Sequence, residues 1–559
     1  MRQYDQSSHL PPGLRVAIVV PAKTFYCLAG SLWAQRYGPL QVASIVRQAG
    51  YFVRLFNEEL GLQVSVEELA QHFDVVGFSC KSASITRAEG LASAIKSEAE
   101  KLGRHVVTVL GGEHVSVGGD TRFSPWFDYL LRGESEDAFL LLLKTLESDR
   151  PEGTAALNAS LGNLHLCDRF DNIPDLSLVA GYDKTVKGSL FKHLPWIWAL
   201  KNRMLPMLMF QGTRGCPYKC SFCPTSRFSR GKGYRRRSLE SSITYLEEHV
   251  RRSGIHRVMF EDPTAALPFD RRSHQFFKAL AESSTRIKAT LLVRNDLCED
   301  LKLLEVMRAA GVSNLCVGIE SLSDETRGDF KKKTSYDTIK RSVDIFHKHG
   351  FAITGLFIVG YDADPSDTFQ RIRDFINETG IEKWRVSPLS QLPESPDQFL
   401  PAHRCFLWDE FARFGREVVD YCNGEFVIFY PKHMKPSTLQ KKIMEFNLSA
   451  ASLSDTVRLF RNRGQLKPVF QRVGNNLVQR RVQREIAAST YLEMIREVEG
   501  KFYFERDGSE QLQEYRLLKR YQARAQERGI HGDADQGNKD SGEPLTRLRE
   551  QAHAGLSGF

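Results

Sequence analysis

Short runs of uninterrupted apolar residues, each followed by a stretch of helical periodicity, recur through the first 150 residues and again between about 206 and 400. This alternation restricts the fold more than any other feature of the chain. A strand with no polar face must be covered on both sides, and helices that alternate with such strands cover a parallel sheet. In the first region the reading gives strands at Val16 to Val20, Phe52 to Phe56, Asp74 to Ser79, Val106 to Leu110 and Asp128 to Leu131. Helices fall at Leu40 to Gln48, Arg87 to Leu102 and around Ala138 to Leu146. The expected fold class is therefore α/β, with a doubly wound parallel sheet over residues 14–150. Ligands of such sheets sit at the carboxyl ends of the strands. Here those ends carry Ser79, then Gly111-Gly112, then Gly133-Glu134. Paired glycines there allow close backbone approach to a nucleotide or phosphate, though a tight turn uses them equally well.

The second region repeats the pattern with strands at Met207 to Phe210, Arg257 to Phe260, Lys288 to Val293, Asn314 to Ile319, Thr354 to Val359 and Trp384 to Ser387. Six strands with helices between them make a partial β/α barrel over 206–400. Residues 151–205 read as a linker and 401–525 as a helical extension, with a possible strand at Phe426 to Tyr430. Charged and small residues dominate the tail from 526 to 559, which is expected to be disordered. A length of 559 residues suits two or three such units.

Composition narrows the function classes. With 42% hydrophobic and 26% charged residues, no stretch reaches the roughly 18 apolar residues of a membrane span. The net charge of +9 is mild, and the basic run from Arg227 to Arg237 suits a solvated loop or an anionic cofactor better than nucleic acid. The start of the chain lacks the pattern of an export signal, and ten cysteines without one imply a reducing, cytoplasmic location.

Three of those cysteines carry the chemistry. In Arg214-Gly215-Cys216-Pro217-Tyr218-Lys219-Cys220-Ser221-Phe222-Cys223 the spacing puts three thiolates on one small loop after the first barrel strand. Thiolates are the usual ligands of iron–sulfur clusters, and three on a four-iron cluster leave one iron open to a non-protein ligand. A zinc knuckle needs a fourth ligand at matching spacing, and no second Cys-x-x-Cys or His-x-His group follows.

The arrangement Cys-x-x-x-Cys-x-aromatic-Cys resembles the radical S-adenosylmethionine superfamily. The resemblance implies a [4Fe-4S] cluster on Cys216, Cys220 and Cys223. Its open iron would be chelated by S-adenosylmethionine, which is cleaved to a 5′-deoxyadenosyl radical. It also implies a cofactor pocket made by Phe222 in the loop, Glu261 and Asp262 after the second strand, Arg294 after the third, Glu320 and Ser321 after the fourth, and Ile358 on the fifth. Departures from the family lie at Tyr361-Asp362 and Pro393-Glu394-Ser395-Pro396, both in substrate-facing loops.

The first region resembles the cobalamin-binding domain that precedes many of these enzymes. The implied corrin contacts are Ser79, Gly111, Gly112, Gly133 and Glu134. The loop from Pro21 to Gly30 contains no histidine, so the corrin's lower face is not expected to be ligated from there. Together the resemblances imply an enzyme using a cluster, S-adenosylmethionine and cobalamin, most simply a methylase of an unactivated carbon. Its partners would be a small-molecule or lipid substrate and an external electron donor such as flavodoxin or ferredoxin, with no nucleic acid and no membrane span. Radical oxidation or ring closure without methylation, methylthio transfer to RNA, and a non-enzymatic cobalamin or cluster sensor stay open at this stage. The second three-cysteine cluster usual for methylthio transfer is not seen.

Overall fold

A computed structural model describes residues 13–23, 32–33, 35–60, 64–117, 125–148, 171, 174–178, 205–223, 225, 233–332, 334–390, 418–449 and most of 479–502. The Pro393-Glu394-Ser395-Pro396 loop, the greater part of the 151–205 segment and the 526–559 tail lie outside these residues.

The first sheet contains β1 (Arg15–Val20), β2 (Phe52–Asn57), β3 (Val75–Ser79), β4 (Val107–Gly111) and β5 (Tyr129–Leu130) in the order β2-β1-β3-β4-β5, all parallel. The order reverses between β1 and β3, and in an open sheet that reversal opens a crevice at the carboxyl edge. Helices α1 (Tyr37–Gln48), α2 (Val66–His72), α3 (Ile85–Lys101) and α4 (Glu136–Glu147) cover the two faces. Alternation along β1 shows how: Val16, Ile18 and Val20 pack with residues of α1 and α4, while Ala17 and Val19 pack with α2 and α3. Helix α3 buries Ile85, Ala88, Leu91, Ala92, Ile95 and Ala99, a single helical stripe. Each of its large aliphatic side chains contributes about 1.5–3 kcal/mol of transfer free energy.

The second sheet holds β6 (Leu208–Phe210), β7 (Arg257–Phe260), β8 (Lys288–Val293), β9 (Val312–Glu320), β10 (Ala352–Val359) and β11 (Lys383–Pro388) in sequential order, again all parallel. Helices α5 (Leu239–Ser253), α6 (Arg271–Glu282), α7 (Leu301–Ala309), α8 (Tyr336–Lys348) and α9 (Thr368–Thr379) alternate with them. This is the partial barrel. Its core is continuous with the α1/α4 face of the first sheet, so one apolar cluster runs through both units.

Six strands leave β11 at an edge, and α10 (Pro436–Ser449) packs against it. Asn447 Nδ2 donates to Val386 O at 3.1 Å and Gln479 Nε2 to Trp384 O at 3.2 Å, so side-chain amides occupy carbonyls that a seventh strand would otherwise pair. A final helix, α11 (Tyr491–Phe502), packs on α10. The expected strand from Phe426 to Tyr430 is not one. Phe426, Val427, Ile428 and Phe429 are all buried, and side chains satisfy the backbone at Val427: its N–H donates to Gln440 Oε1 at 2.8 Å and its carbonyl accepts from the Tyr491 hydroxyl. An apolar run can be a core plug as well as a strand, and periodicity does not separate the two.

Candidate active site

The carboxyl edges of the two sheets meet across a cavity of about 440 Å³. Its inner part is apolar, walled by Ile18, Val20, Gly77, Val109, Leu131 and Phe139. Its rim is polar, with charged Arg36, Glu59, Lys81 and Glu113 on the first unit and charged Arg214 and Glu261 beside the neutral Gln211 on the barrel. Ser79, Gly111, Gly112, Gly133 and Glu134 all line it. Apolar walls with polar and charged groups among them fit a cofactor that combines an apolar ring with amide side chains.

Rim charges are mutually held. Burial alone would raise the Glu59 carboxyl, but Arg36 at 2.8 Å and Lys23 at 3.4 Å bring it down to about 2. The Lys81 ammonium, on a side chain 40% exposed, pairs with Glu113 at 3.4 Å. The glycines divide in role. Gly111 has ordinary space around its Cα, whereas Gly112 has φ +98° and its α-carbon faces the backbone of Cys80, where a Cβ would lie 2.6 Å from the carbonyl oxygen. Gly112 is thus required by the packing of two loops against each other, and close approach to a ligand is not what demands it.

Between cavity and cysteines lies a charged junction. Arg214 donates to Glu134 at 2.8 Å and to Glu136 at 2.6 Å, and Arg235 also pairs with Glu134. Glu261 accepts the Tyr37 N–H at 3.0 Å, at the first residue of α1. Asp262 points elsewhere: it is buried, accepts the Gly212 N–H at 3.0 Å and lines a separate void of about 30 Å³. Both carboxylates are therefore engaged with backbone amides. The described end of the basic run is likewise occupied, since Arg236 pairs with Asp270 and Arg237 donates to the Tyr37 hydroxyl.

Burial pushes the Asp262 carboxyl up to about 7 against the opposing hydrogen bonds from Thr213 and Gly212. The folded chain then keeps a proton that the unfolded chain releases near the ordinary 3.8. Stability from this group is full below about pH 4 and is lost as pH rises through 7. Urea titrations are expected to show a decline on the order of 3 kcal/mol between pH 4 and 8 that Asp262→Asn removes.

The cysteine loop follows β6. Gly215, at φ +81°, turns the chain into it. Cys216 Sγ lies 3.4 Å from Thr264 Oγ1, Cys220 Sγ lies 3.7 Å from Arg294 Nη1, and the Cys223 N–H donates to Cys220 O at 3.2 Å. The loop is anchored from the far side, where Ser221 Oγ donates to Asp329 O at 2.9 Å and Phe222 packs on Phe330 with centroids 4.8 Å apart. Arg294 also lies 3.7 Å over the Tyr218 ring, whose hydroxyl donates to Asp296 at 3.1 Å. Burial raises the Cys220 thiol, and Arg294 and Lys332 oppose that rise. Among the described residues, no three His, Cys, Asp or Glu side chains converge on a single-ion site. Three thiols on one loop with two cations beside them fit a multi-iron cluster, whose thiolate charge those cations offset.

Glu320 ends β9 in the left-handed region at φ +65°. A non-glycine residue there is strained, and such strain concentrates at ligand sites. Lys332 Nζ sits 3.2 Å from Glu320 Oε1 and also bonds Gly318 O, and Asn295 Nδ2 donates to the same carbonyl at 3.1 Å. Ser321 is buried, with its carbonyl accepting from Arg327 at 2.7 Å, and Ile358 lies half-buried on β10. Phe222 belongs to the cysteine loop, Arg294 reaches the Cys220 sulfur, and Lys332 and Glu320 are near enough to act electrostatically on that thiol. Sequence reasoning alone does not single out Arg214, Thr264 or Lys332. Lys332 sits in the run Lys331-Lys332-Lys333, which reads as a surface patch, and only its burial distinguishes it.

Comparison with known proteins matches residues 210–376 to the radical SAM superfamily and residues 35–143 to the B12 binding domain. The chain is 27% identical over 215 residues to the bacteriochlorophyllide d C-12(1)-methyltransferase of Chlorobaculum tepidum, covering 38% of this chain and 46% of that protein. It is 24% identical over 376 residues to the anaerobic magnesium-protoporphyrin IX monomethyl ester cyclase of Rubrivivax gelatinosus, covering 64% of each. The matched region thus spans about half to two-thirds of these relatives' lengths. Among solved structures, the cobalamin-dependent S-adenosylmethionine radical enzyme OxsB, with aqua-cobalamin and S-adenosylmethionine bound, shares the fold with a TM-score of 0.54 at 14% identity, over 98% of this chain and 84% of that one.

Proposed function

We propose, for a chain that belongs to the cobalamin-binding radical S-adenosylmethionine enzymes, that it methylates an unactivated carbon of a small-molecule or lipid substrate. When bound, the [4Fe-4S] cluster supplies the electron that cleaves S-adenosylmethionine to a hydrogen-abstracting radical, and cobalamin supplies the methyl group. In this reading Cys216, Cys220 and Cys223 hold the cluster, and Arg294 and Lys332 balance its charge. Glu320, strained and clamped by Lys332, offers its carboxylate toward the methionyl amine or the ribose of S-adenosylmethionine. Phe222, Ser321 and Ile358 would shape the remaining wall of that site. Ser79, Gly111, Gly112, Gly133 and Glu134 hold the corrin, while Glu261 serves the domain junction and Asp262 the loop at Gly212.

The observation that carries the reading is that the cavity and the cysteine loop share a wall: Arg214 and Gly215 line the cavity and lead directly into Cys216. In this reading the substrate carbon would be held at that wall, between the residues that would hold the cluster and those that would hold the corrin. A ring-forming oxidation without methyl transfer draws support from the longer match to the cyclase. The two readings part on products. Protein reconstituted anaerobically with iron, sulfide and hydroxocobalamin, then given S-adenosylmethionine and a reductant, is expected to form both deoxyadenosine and S-adenosylhomocysteine. Deoxyadenosine alone would favour the oxidation, and no cleavage at all would sink both in favour of a sensor. An external electron donor such as flavodoxin or ferredoxin would replace the chemical reductant in the cell.

A further inference from the structure

The cysteine loop opens with an arginine whose partners belong to the other unit. Arg214 stands two residues before Cys216, and its side chain is only 8% exposed. Nη1 reaches Glu134 and Nη2 reaches Glu136, whose side chain is 4% exposed, while Nε donates to Gln211 at 3.0 Å. Glu134 lies in the turn that leads from β5 into α4 and Glu136 is the first residue of that helix; in the same turn Gly133 takes φ +76° and donates its N–H to Ser116 Oγ at 2.8 Å. Ser116, Gly133, Glu134 and Glu136 all line the cavity. Arg235, the antiparallel partner of Arg214, holds Glu134 from the other side. A guanidinium fixed by two carboxylates and an amide transmits position in a way a single flexible ammonium does not.

We infer that Arg214 is a positioning residue that couples the two cofactor sites, so that cobalamin in the cavity and a cluster on the cysteines each tighten the binding of the other. The inference rests on the assignment of corrin to the cavity and cluster to the loop. A ligand that orders the Gly133 to Glu136 turn orders Arg214, and through Gly215 it orders Cys216. A cluster that fixes Cys216 acts on the turn by the same path, and linkage makes the two effects equal. An ion pair that merely glued the units together would show no such dependence on occupancy.

The test is the Kd of hydroxocobalamin, read by absorbance on the full-length protein with the cluster reconstituted and with it removed by chelation. The native protein is expected to bind roughly tenfold more tightly when the cluster is present. Hydrogen exchange over residues 213–223 of the cluster-loaded protein is expected to slow when hydroxocobalamin is added. Arg214→Met alone leaves the Glu136 carboxylate buried without its partner and risks misfolding, so Arg214→Met/Glu136→Gln is the decisive variant. It should bind both cofactors with the Kd ratio reduced to about one, and Arg214→Lys should restore part of the ratio. A tenfold ratio that persists in the double variant, or a ratio of one in the native protein, overturns the coupling and leaves both assignments standing. Native protein that binds no hydroxocobalamin overturns the assignment beneath it.

Discussion

Cys220→Ala is expected to abolish S-adenosylmethionine cleavage, with the reconstituted protein losing its charge-transfer absorbance and the EPR signal of a reduced four-iron cluster. Cys220 sits at the centre of the loop, with the Arg294 guanidinium 3.7 Å from its sulfur and the Cys223 N–H on its carbonyl. Two thiolates cannot hold the cluster that three hold with one iron open. Cys298→Ala supplies the matched control. Cys298 is a buried thiol packed in the core of the barrel, and its loss should cost stability without touching the cluster. Between these limits falls Arg294→Met, which removes the cation beside the sulfur and keeps the ligand. Neighbours of this kind change metal affinity or activity by about 10- to 100-fold, so the variant should assemble a cluster with a lower reduction potential and slower turnover. Potentiometric EPR on the three variants checks the series. An intact cluster signal in Cys220→Ala would remove the ligand assignment.

Gly112→Ala is expected to destabilise the first unit by about 3 kcal/mol and to lose cobalamin binding with it. The added Cβ would stand 2.6 Å from Cys80 O and 2.7 Å from Cys80 N, and φ at this position is +98°. Both atoms are already engaged, since Cys80 N–H donates to Gly111 O at 3.0 Å and Cys80 O accepts from His114 N–H at 3.1 Å. Neither loop can yield without breaking these bonds. The same loops carry Ser79, Lys81, Gly111 and Glu113 to the cavity wall, so relief of the clash deforms the site. Gly90→Ala tests the reasoning with the opposite sign. Gly90 lies inside α3 with nothing within 4 Å of the point where an added methyl group would stand, and the substitution should stabilise by roughly 0.5–1 kcal/mol through helix propensity. Urea unfolding of both variants, with hydroxocobalamin binding alongside, decides the matter.

The strands are legible because a buried parallel strand is written as an apolar run, and β1 to β11 all fall on or within a residue or two of the runs named from the sequence. The cysteine loop is legible for a different reason: three thiols that are to converge from one short loop must stand at close spacing along the chain. What stays hidden is what depends on tertiary neighbours. Glu261 and Asp262 are adjacent carboxylates at a strand end, yet one turns to the Tyr37 amide and the other to the Gly212 amide, and nothing local distinguishes them. Lys332 and Arg214 look like surface charge until the fold buries them. Helix α2, which Ser65 caps by accepting the Glu68 N–H at 3.1 Å, escapes a reading by periodicity because only Leu69 and Ala70 of its seven residues are buried. The segment from Phe426 to Tyr430 reads as a possible strand because burial on every side looks alike in a strand and in a plug.

The cavity wall draws on residues from Ile18 to Pro263. During synthesis the first sheet emerges long before the last of that wall, and domains tend to fold in the order they are made. The nascent chain therefore passes through a stage with the first-sheet part of the cavity wall and no cysteine loop. Closure of the cavity is thus a late step in the life of the molecule, complete only once β7 and its following turn have emerged and seated against the first sheet.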